Sequence, residues 1–449
     1  MLLFSANVCK VNEKVIQTYY ILITMKVSEV FNPGGFPVHT YNPRNQLELE
    51  KQFADYLDSG YKLLSLTGPT KSGKTVLCLQ LISKEQGIWI SGGDIREEND
   101  FWLAIVHKLE LYTETTVGHD RERTETVSSE VTGGLSAFIA NVGSNVSGSE
   151  STTAHRAQTV SRAEHPRTVA INALNKQKMP IIVDDFHYIP HKIQINIVRS
   201  LKTPIFEGLR LVLISVPHRA YDTVKIESEM VGRVQQLKIP LWGEDELIEI
   251  SKRGFPHLNI KIDNEANKIL ANESFGNPQL MQEFCANFCK FNKITESLPL
   301  CTPIPGIPKG DFFSGIADVI TSKVDYDILA RGPRQRSDRK KRAFVDGSKG
   351  DIYKAILTAL ANTGPKTVVE YEELRSKLRS VLMGDLPQLQ QVSRVLAQME
   401  RLSSISEGKP KILEWDNSTN TLYLLDPYFA FYLRWAIRDK SNQKHLESL

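Results

Sequence analysis

Residues 68–75 read GPTKSGKT, and residues 181–189 read IIVDDFHYI. In the first run, Gly68 and Gly73 free the backbone to fold into a concave nest whose N–H groups converge. Lys74 adds a long cationic arm and Thr75 a hydroxyl. This pattern, G-x-x-x-x-G-K-[ST], suits a nucleoside polyphosphate. The loop of Gly68, Pro69, Thr70, Lys71, Ser72 and Gly73 would cradle it, Lys74 would reach its β- and γ-phosphates, and Thr75 would ligate Mg²⁺. In the second run, three apolar residues end in two carboxylates, as in a buried strand that delivers acids at its C-terminal end, where ligands sit in open α/β sheets. Asp184 is expected in the Mg²⁺ shell, and Asp185 as the group that orients or deprotonates the attacking water. Aspartate is shorter than the more usual glutamate there, which predicts slow hydrolysis. Ser215, closing LVLIS (211–215), is either a γ-phosphate or water contact or a simple strand-terminating residue.

These side chains need a scaffold. An apolar stretch, LLSL (63–66), precedes the glycine-rich loop, and a helix-forming one, TVLCLQLIS (75–83), follows it. Further strands are expected at GIWIS (87–91), MPIIVDD (179–185), LRLVLIS (209–215) and VQQLKIP (234–240), with helices near 97–111 and 190–201. Five apolar strands alternating with helices predict an α/β fold, a parallel sheet covered on both faces. The order along the chain predicts the RecA/AAA-like arrangement, with the Ser215 strand between the loop strand and the aspartate strand.

The chain divides into a lead-in (1–47), this core (48–243), a helical lid (244–292), a Pro-rich then basic linker (293–350) and a C-terminal unit (351–440). The start is either Met1 or Met25, whose following run reads like a natural beginning and would make residues 1–24 a mis-called extension. The core carries a Ser/Thr/Gly-rich insertion at about 112–166, whose GGLSAFIANVG run is either a short amphipathic helix for a partner or a loose loop. The C-terminal unit reads as three helices, the third at about 387–402, then two strands and a terminal helix, which predicts a winged helix-turn-helix.

Composition is that of an ordinary globular protein, 41% hydrophobic and 24% charged, and a net charge of +3 argues neither for nor against nucleic acid. Locally, residues 331–350 hold eight basic residues against two acidic ones, either a solvated tether or a salt-dependent DNA contact. Five cysteines without a CxxC pair exclude a zinc site or disulfide framework of the usual spacing and fit a reducing cytoplasm. No apolar stretch is long enough to span a bilayer, so no membrane association is expected.

GPTKSGKT, VDDFHYI, Ser215 and ESFGNPQLM (273–281) together resemble the AAA+/STAND class of P-loop ATPases. Within it the chain is similar to archaeal-type and bacterial STAND ATPases and to the initiator ATPases of origin recognition. LLDPYFAFYLRW (424–435) looks like the closing segment of archaeal-type ATPases. The resemblance implies ATP as the nucleotide. It implies that Pro278 approaches the nucleotide from the lid, although Gln279 stands where many relatives carry an arginine. It places Arg233 where an arginine finger would act on a neighbour's ATP, against the plainer reading of a helix-terminal arginine. It sets Tyr41 and Arg44 against adenine. Two functions follow: a regulatory switch in which the winged helix packs on the nucleotide core, with a protein partner or self-assembly, or a DNA-dependent ATPase using the winged helix and the 331–342 basic run. A nucleotide-stabilised scaffold is a third.

Overall fold

Five strands, β1 (Leu63–Thr67), β2 (Ile88–Ser91), β3 (Ile181–Asp184), β4 (Leu211–Ser215) and β5 (Val234–Lys238), pair in parallel in the order β2-β3-β4-β1-β5. The computed structural model describes residues 24–111, 165–216, 230, 232–307, 309–319, 323–333, 339–364, 366–403 and 411–438. Residues 1–23 and most of the insertion, with its GGLSAFIANVG run, lie outside them. Every residue of β1 and β4 is buried, as unbroken apolar runs require in a sheet covered on both sides. Leu63, Ile181, Leu211 and Leu213 belong to the core on one face, and Leu64, Leu66, Ile182, Val212 and Ile214 to the core on the other.

Register sets up the chemistry. Thr67 lies beside Ser215, and Ser91 beside Asp184, so the C-terminal ends of β1, β3 and β4 form one rim. The Ser215 strand lies between the loop strand and the aspartate strand, as expected.

A helix at Pro166–Gln177, which the sequence did not suggest, claims the last residue of the expected insertion. It buries only Ala170 and Leu174, too sparse a stripe to show a helical period. The lid consists of helices Glu244–His257, Asn264–Glu273 and Pro278–Phe291. The lead-in packs on it through Val27, Val30 and Phe31, with Phe31 and Phe255 rings 5.0 Å apart.

The described residues of the expected linker are folded onto the rest of the molecule. Helices Lys309–Val319 and Lys323–Arg331 occupy its middle, with Phe312, Phe313 and Tyr326 buried. Phe313 sits 5.2 Å from Phe284 of the lid and 5.1 Å from Trp435, ring to ring. The prolines before residue 308 concealed the apolar pattern of DFFSGIADV after them. Arg339 of the basic run is likewise structural, 2.7 Å from Asp351 and bonded to the carbonyls of Arg331 and Pro333.

The C-terminal unit has helices Ile352–Ala361, Tyr371–Val381 and Leu389–Ser403. Its sheet has three strands rather than the expected two: Val368–Glu370 pairs with Thr421–Leu424, which pairs with Leu413–Asp416. Three residues between helices are too few to carry an alternating pattern. The chain closes with a helix at Pro427–Tyr432 and a π-helical turn at Leu433–Arg438. No described helix is long and apolar enough to cross a membrane.

Candidate nucleotide site

The P-loop follows β1 directly. Lys71 (φ 59°) and Gly73 (φ 95°) take left-handed backbone conformations, which turn the loop into a nest, and helix Lys74–Leu81 begins at its base. Gly68 has no substitute: a Cβ there would stand 2.8 Å from the Ile239 carbonyl oxygen. Three carbonyls of the loop accept from side chains behind it. The Trp242 indole N–H donates to Ser72 (2.9 Å), and the Asn277 amide to Thr70 (3.2 Å) and Lys71 (3.1 Å). With its carbonyls so engaged, the loop is held for N–H groups to face an anion. Lys74 is buried, its Nζ donating to the carbonyls of Gly68 (2.9 Å) and Pro69 (2.7 Å). Burial pulls its pKa down to about 8, partly opposed by Asp184 and Asp185.

The aspartates stand on the same rim. The Thr75 hydroxyl donates to Asp184 Oδ2 at 2.7 Å. This pairing of hydroxyl and carboxylate offers hard oxygen ligands that suit Mg²⁺ completed by phosphate oxygens and water. Among the described residues no group of three or more His, Cys, Asp and Glu offers another metal site. Asp185 leaves the strand in a left-handed conformation (φ 52°), and its amide donates to Asp184 Oδ1 at 2.9 Å. Although Asp185 is exposed to the cleft, partial desolvation first, and then the Asp184 charge, raises its pKa to about 6.

Lead-in and lid complete a cleft of about 440 Å³ lined by Asn32, Thr40, Tyr41, the P-loop, both aspartates, Pro278 and Gln279 among others. Such a volume suits one small ligand. Pro278 lies at the first position of its helix, behind the N-cap Asn277 that also holds the P-loop. Tyr41 lines the cleft while its hydroxyl donates to Glu50 at 2.7 Å. Arg44 lines it too, but its guanidinium is engaged elsewhere. It grips both oxygens of Glu246 (2.9 and 2.7 Å) and the carbonyls of Pro240 and Leu241, and lies over Trp242 at 4.8 Å. These contacts fasten the lead-in to the lid.

Ser215 is buried beside Thr67, and its hydroxyl has no hydrogen-bond partner among the described residues. The next residue, Val216, lines the cleft. Arg233 is exposed at the other end of the sheet, before β5, with its guanidinium over Phe206 at 5.6 Å. It contributes nothing to this chain's own cleft.

The C-terminal unit reaches the site itself. Lys71 Nζ lies 3.0 Å from Asp426 Oδ1 and 4.3 Å from the centre of the Tyr428 ring. Asp426 is the N-cap of the closing helix, accepting from the Tyr428 amide at 3.1 Å, and also accepts from the Tyr326 hydroxyl at 2.6 Å. Further along the closing segment, the Trp435 indole donates to fully buried Glu273 of the lid at 2.9 Å, and Arg434 pairs with the same carboxylate at 3.1 Å. Neither the capping role of Asp426 nor its partner on the P-loop was read from the sequence.

The fold these features define is an α/β P-loop one, a parallel sheet with an additional strand between the loop strand and the acidic strand. No family model matches the chain, and no curated protein matches it by sequence. Solved structures similar to it include the Walker-type ATPase of Pyrococcus abyssi (14% identity, 86% of this chain and 95% of that one, TM-score 0.48). The Aeropyrum pernix ORC2 protein (12%, 93% and 98%, 0.47) and ORC1 protein in complex with DNA (12%, 94% and 99%, 0.44) are others.

Proposed function

We propose that this chain is an ATP-binding, Mg²⁺-dependent ATPase of the AAA+ kind, acting in the cytoplasm as a switch whose nucleotide state sets how firmly its C-terminal unit is held on the P-loop. The ion pair between Lys71 and Asp426 carries this reading, because it joins the phosphate-binding loop to the far end of the chain. ATP phosphates would enter the nest, and Lys74 would exchange its two loop carbonyls for phosphate oxygens. Thr75 and Asp184 would hold Mg²⁺, which supplies charge neutralisation on the β- and γ-phosphates when bound. Asp185 would take the proton of the water that attacks the γ-phosphorus, and the bond to the β,γ-bridging oxygen breaks to leave ADP and phosphate. Ser215, one residue below the cleft wall, would bond the water or the γ-phosphate after a small movement. Arg233 would act only on a neighbouring copy.

A second reading, a DNA-dependent ATPase of the replication-initiator kind, is favoured by one feature of this chain. Lys340, Lys341, Lys349 and Lys354 are exposed around the hairpin Arg342–Phe344/Lys349–Gly350. The third helix adds only Arg394 and Arg401, since Glu400 beside them is committed to Lys411 at 2.8 Å. Steady-state ATP hydrolysis with and without duplex DNA, in wild type and Lys74→Ala, tests both. Slow hydrolysis lost in the variant and indifferent to DNA supports the switch. Strong stimulation by DNA puts the second reading first, and hydrolysis that survives Lys74→Ala removes both.

A further inference from the structure

Asp185 holds a conformation that a non-glycine residue rarely adopts, and something must leave room for it. Its left-handed turn swings its carbonyl sideways, where it accepts from the Tyr188 amide at 2.9 Å and opens the short 3₁₀ turn Phe186–Tyr188. The neighbouring strand ends at that level. Ser91 pairs with Asp184, so the next residue, Gly92, lies against Asp185. A Cβ on Gly92 would stand 2.3 Å from the Asp185 carbonyl oxygen, 2.8 Å from its carbonyl carbon and 3.0 Å from the Asp184 carbonyl oxygen. All three are backbone atoms, which no rotamer change moves aside. Gly92 itself is buried and is not in the left-handed region, so its lack of a side chain, and not its backbone freedom, is what the site uses. The adjacent Gly93 differs: a Cβ there meets only the Ser91 hydroxyl, at an ordinary 3.6 Å.

The geometry assigns Gly92 as a positioning residue for hydrolysis: its bare Cα lets the Asp185 backbone turn into the conformation that aims the carboxylate into the cleft. The assignment rests on Asp185 as the group that handles the attacking water. A methyl at 92 pushes the Asp185 main chain away from β2 and displaces the carboxylate by a fraction of an ångström or more. Displacements of about 1 Å at a reacting group cost about 100-fold in rate, whereas the P-loop, formed by another strand, does not meet the added methyl and the Asp184 backbone meets it less closely than that of Asp185.

The test is single-turnover hydrolysis and ATP affinity for wild type, Gly92→Ala, Gly93→Ala, Asp185→Asn and Gly92→Ala/Asp185→Asn. The expected result is a 10- to 100-fold loss of rate in Gly92→Ala with ATP affinity within about twofold of wild type. Gly93→Ala should behave as wild type, and the double variant should be no slower than Asp185→Asn alone. Equal rates for Gly92→Ala and wild type would overturn the assignment, as would multiplicative losses in the double variant. If Gly92→Ala weakens ATP binding as much as rate, the role is general structural support and the assignment also fails. An Asp185→Asn rate equal to wild type would instead remove the reading of Asp185 on which it rests.

Discussion

Lys71, in the middle of the phosphate-binding loop, is ion-paired at 3.0 Å with Asp426, 355 residues further along the chain. The lysine is also stacked on Tyr428, and the aspartate is fixed by the Tyr326 hydroxyl. Few contacts could report more directly on the loop's contents: Lys71 has one ammonium, and phosphate oxygens would compete with Asp426 for it.

Asp426→Asn keeps the helix cap, turns the Tyr326 contact round so that the new amide donates to the hydroxyl, and removes the charge. Both partners are mostly buried, so the pair should contribute about 1–2 kcal/mol to docking. Limited proteolysis should cleave the Asp426→Asn and Lys71→Met proteins faster than wild type, and the double variant no faster than either single one. Additive acceleration would show that the two residues act separately.

Glu273 has no solvent exposure, and Arg434 supplies its cationic partner. Arg434→Ala leaves a buried carboxylate with the Trp435 indole, and should lower unfolding stability by about 3 kcal/mol in denaturant titration. In a Glu273→Gln background the same substitution should cost much less, since no charge remains to be stranded.

Nucleotide affinity should depend on pH in one direction. Lys74 has a pKa of about 8 in the free protein, and bound phosphates stabilise its charged form. Below pH 8 the ammonium is already present, and affinity should be flat. Above pH 8 binding must take up a proton, so affinity should fall by up to about tenfold per unit. The fold itself should respond in the opposite sense, because a depressed lysine opposes folding while charged and ceases to do so as pH rises from about 8 towards its ordinary 10.5. Calorimetric titration of ATP at pH 7, 8 and 9 checks the first effect.

For the DNA reading, Lys340→Ala/Lys341→Ala should reduce duplex affinity at low salt and lower the salt slope by about 2, one per lysine removed. Fluorescence anisotropy across a salt series measures both. No binding by wild type at low salt would end that reading.

What the sequence disclosed follows from how local each signal is. GPTKSGKT and IIVDD are contiguous, and their positions at strand ends follow from apolar runs of the right length, so β1 to β5 and both aspartates were readable. The lead-in was readable as a wall of the cleft, but Arg44 was not readable as a fastener, because Glu246 is some 200 residues away. Phe312 and Phe313 were hidden behind a proline-rich stretch, and the helix Pro166–Gln177 by its thin apolar stripe. Asp426 and Gly92 act through contacts between distant segments, on which spacing carries no information.

The most direct test of the switch is hydrogen–deuterium exchange of the closing helix, Pro427–Tyr432, in the ADP-bound and ATP-bound protein, with hydrolysis suppressed by Asp185→Asn. The account predicts faster exchange there with ATP, as the added phosphate draws Lys71 from Asp426, and no such difference in Asp426→Asn. Identical exchange in the two nucleotide states would contradict it.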